Sequence, residues 1–158
     1  MSYDFNADEI FEMAQQMERN GAGFYRNAAE SVTDKENKEM LLKLAAMEDD
    51  HEKTFAEMRA SLTDQEKETT LFDPEGEAIL YLQALVDTRV FFQKEIDTTS
   101  MKEILKAALL AEKDAIVFYL GMKDMVPQKQ GKSRLEDIIK EEMAHIKLIG
   151  SKLSAVKS

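Results

Sequence analysis

The chain has 158 residues, of which 44% are hydrophobic and 33% charged, so its length and composition predict a single domain over residues 1–158 with an apolar core. Its formal charge of −10 disfavours binding to nucleic acid or to an anionic membrane surface. The absence of cysteine excludes disulfides, thiolate catalysis and cysteine-bound zinc or iron–sulfur centres, so any metal must have oxygen and imidazole ligands. Only six Gly and two Pro, beside abundant Ala, Leu, Met, Glu and Lys, favour an all-α fold.

The first half of the chain predicts two long helices. The first extends over about residues 7–32, with Asn6 as its N-cap. A capping box from Thr33 to Glu36 then opens a second helix that extends to about Leu62. Because the turn between them is very short, the two helices are expected to be antiparallel neighbours.

The second half predicts another such hairpin. Its first helix begins near Thr99 or Ser100 and ends at about residue 126, before a turn at 127–132. A second capping box, from Ser133 to Glu136, opens the last helix. Between the hairpins, a helix over about 74–96 is expected to cross the length of the bundle and to pack on it or on a second subunit.

The two hairpins resemble each other at an offset of 94 residues. Each has a Glu, then a Phe-Tyr pair, and a Glu-x-x-His motif that begins 30 residues after the first Glu. The matching residues are Glu18, Phe24, Tyr25, Glu48 and His51 in the first hairpin and Glu112, Phe118, Tyr119, Glu142 and His145 in the second. This agreement indicates duplication of one hairpin and a bundle with pseudo-twofold symmetry.

The glutamates and histidines of the repeat interrupt the apolar stripe of each helix, and they are therefore expected to be buried near one another. Unpaired buried ions cost several kcal/mol each, and no Lys or Arg lies on these stripes, so we expect two divalent cations to neutralise them. Glu48 and Glu142 would bridge the two metals, and each histidine would bind one. The predicted metal ligands, which are also the predicted catalytic residues, are Glu18, Glu48, His51, Glu112, Glu142 and His145. Iron suits this mixture of carboxylate and imidazole, and manganese and zinc accept similar ligands.

At these residues the chain resembles the rubrerythrin branch of the ferritin-like superfamily. The motifs Met-Glu-Asp-Asp-His (47–51) and Glu-Glu-Met-Ala-His (141–145) are similar to the paired metal motifs of that family, and Glu18 with the following aromatics is similar to its first-helix ligand. The resemblance implies a ferritin-like four-helix bundle of two antiparallel hairpins joined by a long helical crossover. It also implies an oxidoreductase with a non-haem di-iron centre that reduces hydrogen peroxide or dioxygen with electrons from a redox partner.

Two departures from the family pattern affect the function that the resemblance implies. Rubrerythrins of full length carry a cysteine-ligated rubredoxin domain, and since this chain has no cysteine an external electron-transfer protein is expected. Many rubrerythrins also have a further carboxylate where this chain has Ala115, which leaves a more symmetrical ligand set, similar to that of bacterioferritin. A ferroxidase that handles iron, and a metal-binding bundle without catalysis, are therefore kept as alternatives.

The partners and location follow from composition and from the predicted elements. The helical crossover favours a homodimer over a ferritin-like cage. No apolar run approaches the about 20 residues that span a bilayer. The first residues also lack the basic and apolar regions of a signal peptide, so a cytoplasmic protein is expected, with a small oxidant as substrate and no nucleic-acid or membrane partner.

The side chains around the motifs are expected to have the ordinary roles of their residue types. Tyr25 and Tyr119 are expected to be core tyrosines with satisfied hydroxyls, with a role beside the metals as the alternative. Gly21 and Ala115 are expected to allow close helix packing, with space for a small oxidant as the alternative. The acidic residues that flank the motifs are expected to form a solvated face: Asp49, Asp50, Glu52 and Glu141.

Overall fold

A computed structural model describes residues 7–62, 80, 84, 98–123 and 132–156. The long helices in these ranges are α1 (Ala7–Ser31), α2 (Lys35–Ala60), α3 (Met101–Lys123) and α4 (Lys132–Ala155). α1 packs on α2 and α3 packs on α4, which confirms the two predicted hairpins and the all-α class. Apart from residues 80 and 84, which are helical, the predicted crossover helix at 74–96 lies outside the described residues, and so does the predicted end of the third helix at residue 126.

The start of α2 corrects the predicted cap by one residue. Asp34, not Thr33, is the N-cap, because its carboxylate accepts a hydrogen bond from the Asn37 backbone N at 2.9 Å. Its extended backbone, with φ −67° and ψ 121°, is the conformation that an N-cap requires. A carboxylate at this position also interacts favourably with the positive end of the helix dipole. α2 ends at Ala60, close to the predicted end.

The starts of α3 and α4 differ in how well the sequence predicted them. Ser100 precedes α3 as expected, and its side-chain oxygen accepts a hydrogen bond from the Glu103 backbone N at 3.4 Å. α4 begins at Lys132, so Ser133 is already helical. The prediction that Ser133 is the N-cap of this helix is therefore wrong. Glu136, the other end of the predicted capping box, forms an ion pair with Lys123 at 2.9 Å, which connects the beginning of α4 with the end of α3.

The apolar stripes form two core clusters, one toward each end of the bundle. The first cluster takes the beginnings of α1 and α4 and the ends of α2 and α3, and it contains Phe11, Met58, Phe118 and Leu135 among others. The second cluster takes the opposite ends of the same helices and contains Ala28, Leu44, Leu105 and Ile149 among others. α1 and α4 therefore point one way and α2 and α3 point the other way, as in two antiparallel hairpins.

Between the clusters, every helix contributes to one layer of buried charged residues. Glu18 lies between the two clusters on α1 and Glu112 does so on α3, while α2 and α4 each contribute a Glu-x-x-His motif. The apolar side chains on both sides remove this layer from solvent and lower the local dielectric, which makes the protonation and pairing of its charges decisive. In the described part of the chain, no helix combines the length and apolar character that a membrane span requires.

Candidate metal centre

The structure brings all six predicted ligands together in the charged layer, and none of them is more than 4% exposed. They form two overlapping groups of four, and in each group one donor atom per residue lies within 4.8 Å of the others. The groups are Glu18, Glu48, His51 and Glu142, and Glu48, Glu112, Glu142 and His145. Glu48 and Glu142 belong to both groups, as bridging ligands must.

The two shared carboxylates each direct one oxygen toward each histidine. Glu142 Oε1 lies 3.0 Å from His51 Nδ1 and its Oε2 lies 3.1 Å from His145 Nδ1. Glu48 repeats this arrangement, with distances of 3.5 Å to His51 Nδ1 and 3.7 Å to His145 Nδ1. The two imidazole rings are stacked with their centroids 5.8 Å apart. Two positions with nitrogen and oxygen donors therefore lie side by side, connected by two carboxylates.

Each of the remaining glutamates belongs to one position only. Glu18 Oε2 lies 3.6 Å from His51 Nδ1, and Glu112 Oε1 lies 3.4 Å from His145 Nδ1. Each position thus has three carboxylates and one imidazole. This donor set fits a pair of divalent metal ions of the iron, manganese or zinc type, since these accept carboxylate and imidazole together.

Two buried tyrosines support the terminal glutamates from across the bundle. The hydroxyl of Tyr25 on α1 donates to Glu112 Oε1 on α3 at 2.5 Å, and the hydroxyl of Tyr119 on α3 donates to Glu18 Oε1 on α1. Both side chains are fully buried, so they are core tyrosines with satisfied hydroxyls, as expected. Their partners, however, are the candidate ligands themselves, so the alternative of a hydrogen-bonding role beside the metal positions describes them as well.

These observations agree with the comparison to known proteins. The rubrerythrin family model matches residues 9–153. The chain belongs to the rubrerythrin family. Among solved structures it is similar to a Thermotoga maritima protein described as a ferritin-like diiron-carboxylate protein, with 24% sequence identity, 98% of each chain covered and a TM-score of 0.73. This likeness shows the ferritin-like fold. No curated protein matches the chain.

In this rubrerythrin-family centre the four glutamates divide into two kinds. Burial raises the pKa of Glu48 and of Glu142 well above the usual range, and repulsion from the neighbouring carboxylates raises both further. Burial also acts to raise the pKa of Glu18 and of Glu112, but hydrogen bonds from neighbouring carboxyl, imidazole and tyrosine groups outweigh it. The pKa of Glu18 is lowered as a result, and that of Glu112 falls to about 2. In the metal-free chain the shared carboxyls therefore keep their protons to a higher pH than the terminal ones, which ionise first.

The histidines complete the charge balance of the metal-free centre. Burial lowers the pKa of His145, but hydrogen bonds to Glu112 and Glu142 outweigh burial and raise it to about 9. Burial also acts to lower the pKa of His51, but hydrogen bonds to Glu142, Glu18 and Glu48 outweigh it and raise that pKa. Two imidazolium ions thus offset two carboxylates. The sequence predicted metal ions as the neutralising charge; in the metal-free chain protons take that role, and metal binding must displace them.

Sequence reasoning missed one residue of the centre, Glu141. It was expected on a solvated face, and its side chain is 54% exposed, but its Oε2 lies 2.5 Å from His51 Nε2 and accepts a hydrogen bond from that nitrogen. The signal that could have found it is chemical, because a histidine that binds a metal through one nitrogen usually donates from the other to a carboxylate or carbonyl. Asp49 and Glu52 instead form ion pairs on the α1–α2 surface, with Arg26 and Arg19.

A small cavity of about 10 Å³ lies against the centre. Gly21 and Ala115 line it, together with Tyr119 and several of the glutamates. Both small residues are buried, as expected for close helix packing, and the cavity beside them is about the size of one water molecule. This is about the smallest space that holds one water molecule next to the shared carboxylates.

Proposed function

We propose that this chain is a non-haem di-iron oxidoreductase that reduces hydrogen peroxide or dioxygen with electrons from an external donor. One observation carries the proposal: two buried carboxylates, Glu48 and Glu142, each direct one oxygen toward each of two histidines. Two carboxylates that belong to both donor groups can bridge two metal ions. The Thermotoga maritima protein, described as diiron-carboxylate, supports iron as the metal.

The candidate ligands differ in how they would bind the two metal ions. Glu18 and Glu112 would each bind one ion as terminal carboxylates, and the tyrosine hydroxyls that contact them fix their orientation. His51 and His145 would bind through Nδ1, the nitrogen that faces the shared carboxylates. Two iron ions bound there would supply two electrons, which with two protons reduce hydrogen peroxide to two water molecules or dioxygen to hydrogen peroxide.

The source of electrons and the place of the oxidant follow from the rest of the chain. Reduction of hydrogen peroxide to two water molecules consumes two electrons and two protons, and because the chain has no cysteine it holds no thiolate-ligated iron of its own to deliver the electrons. We therefore assign the donor role to a separate electron-transfer protein. The cavity beside Gly21 and Ala115, which is about large enough for one water molecule, marks the side on which a small oxidant would approach the shared carboxylates.

Ferroxidase activity is the second candidate, supported by the equality of the two donor sets. Each metal position has three carboxylates and one imidazole, and Ala115 offers no further carboxylate to either. In this case Fe²⁺ is the substrate and dioxygen the physiological oxidant. The oligomeric state helps to distinguish the oxidoreductase from an iron-storing ferroxidase. In size-exclusion chromatography a homodimer elutes at about twice 18.0 kDa, and a storage cage elutes far earlier.

The test is metal content after anaerobic loading with Fe²⁺, followed by optical spectra after addition of peroxide or air. About two irons per chain that oxidise faster with peroxide support peroxide reduction, and faster oxidation with air supports the ferroxidase. Bound iron without turnover under any reductant supports a metal-binding bundle without catalysis. His145→Ala is expected to bind no more than one iron per chain, whereas Glu39→Gln, a control on the exposed surface of α2, is expected to bind about two. No stoichiometric iron in the unmodified chain contradicts both candidates.

A further inference from the structure

We infer that Glu141 is a positioning residue for His51, and that the lack of a matching carboxylate in the other hairpin makes the two metal positions unequal. The inference rests on the two-metal centre of the proposed function, but not on the reaction that takes place there. It concerns which position binds metal more tightly and is filled first.

The His51 ring is held at both of its nitrogens. Nδ1 faces the centre, 3.0 Å from Glu142 Oε1, and Nε2–H donates to Glu141 Oε2 at 2.5 Å. The ring is 3% exposed, so its orientation is fixed between α2 and α4. A carboxylate on the outer nitrogen fixes the tautomer that leaves Nδ1 free for a metal, and it makes that nitrogen a more basic ligand.

The His145 ring is held on one side only. Its Nδ1 faces the centre, 3.1 Å from Glu142 Oε2, but its buried Nε2 has no hydrogen-bond partner among the residues that the structure describes. The repeat explains the difference, because at the offset of 94 residues the position of Glu141 is occupied by Met47, a thioether that is at most a weak acceptor. The ligands repeat in the two hairpins, and this outer partner does not.

The consequence is an order of affinity between the two positions. Loss of an outer-shell partner of a metal ligand typically lowers metal affinity about 10- to 100-fold. The position of Glu18 and His51 is therefore expected to bind metal more tightly than that of Glu112 and His145, and to fill first.

Glu141 can be changed without disturbing the core. It lines an open cavity of about 330 Å³ between α2 and α4, together with Met47, His51 and Asp137. Because its side chain is 54% exposed, truncation removes the contact to His51 and little apolar packing. Asp137 lines the same cavity and provides a matched control for a change in charge alone.

The test is anaerobic calorimetric titration of the metal-free, full-length chain with Fe²⁺. The unmodified chain is expected to show two binding steps whose affinities differ about tenfold or more. Glu141→Ala is expected to weaken the tighter step about 10- to 100-fold. Glu141→Gln, whose amide oxygen can still accept from Nε2–H, is expected to restore part of this loss, and Asp137→Asn is expected to leave the steps within about threefold of the unmodified chain.

Two further variants test the assignment in the other direction. Met47→Glu offers the repeat's missing carboxylate and is expected to strengthen the weaker step. His145→Ala is expected to keep the tighter step and His51→Ala to lose it. Three results overturn the inference while leaving the two-metal centre intact. These are equal affinity of the two steps, a tighter step that depends on His145 and not on His51, and a Glu141→Ala variant that leaves both steps unchanged. A chain that binds no Fe²⁺ overturns the centre and the proposed function with it.

Discussion

At the scale of single residues, the neighbours of each buried glutamate decide whether it keeps its proton in the metal-free chain. Glu48 is surrounded by Glu18, Glu112 and Glu142, and burial together with their repulsion raises its pKa well above the usual range. Burial also acts to raise the pKa of Glu18, but hydrogen bonds from Glu48 and other neighbours lower it overall. A neutral carboxyl therefore donates to an anionic one, and two chemically identical side chains have opposite electrostatic roles.

This difference predicts different effects of the same substitution on the metal-free chain. Glu48→Gln replaces a neutral carboxyl by a neutral amide of the same size, so it is expected to change the free energy of unfolding by less than about 1 kcal/mol. Glu18→Gln removes the buried anion that faces Nδ1 of protonated His51 and is expected to cost about 3 kcal/mol. Urea unfolding at pH 7 with a chelator measures both. Equal losses, or a larger loss for Glu48→Gln, contradict the assignment of protons.

At the scale of helices, periodicity predicted most of the core and could not predict contacts off the stripes. In α2, for example, the residues that follow one another at alternating steps of three and four are all buried: Leu41, Leu44, Glu48, His51, Phe55 and Met58. Glu141 lies off the stripe of its own helix, and its partner is on another helix, so neither spacing nor apolar pattern indicates the contact with His51. The crossing of tyrosines to the opposite hairpin likewise depends on how the hairpins pack.

The cap of α2 shows a smaller limit of local sequence. Thr33 and Asp34 are both good N-cap residues, and the one that takes the extended conformation is decided by the geometry of the turn between the hairpin's helices. Asp34→Ala is expected to lower the free energy of unfolding by about 1 kcal/mol, because the Asn37 backbone N–H loses its acceptor. Thr33→Ala is the matched control, with an expected loss below about 0.5 kcal/mol. Chemical unfolding of the two variants measures the loss in free energy of unfolding for each. A larger loss for Thr33→Ala would show that Thr33 is the N-cap.

At the scale of the whole molecule, the charged layer joins the two hairpins between two apolar clusters, so its state of protonation affects the stability of the entire bundle. The pKa of His145 is raised from 6.5 to about 9, and the pKa values of His51, Glu48 and Glu142 are also raised. A group whose pKa is higher in the folded chain stabilises that chain while it is protonated. The contribution of His145 is therefore complete below pH 6.5 and is lost as the pH rises through about 9.

The metal-free chain is accordingly expected to lose stability in alkaline solution, and the metal-loaded chain is expected to lose less. Between pH 6.5 and pH 9.5 the Tm of the metal-free chain should fall by about 5 °C or more, since about 2 kcal/mol corresponds to a shift of this size in a domain of this length. Metal ions that have replaced the protons keep the carboxylates neutralised as the pH rises, so the loaded chain should keep its Tm. Calorimetric scans with and without chelator measure the difference. General repulsion from the net charge of −10 acts on both forms, so an equal fall in the two would assign the effect to that repulsion and contradict the proton-filled centre.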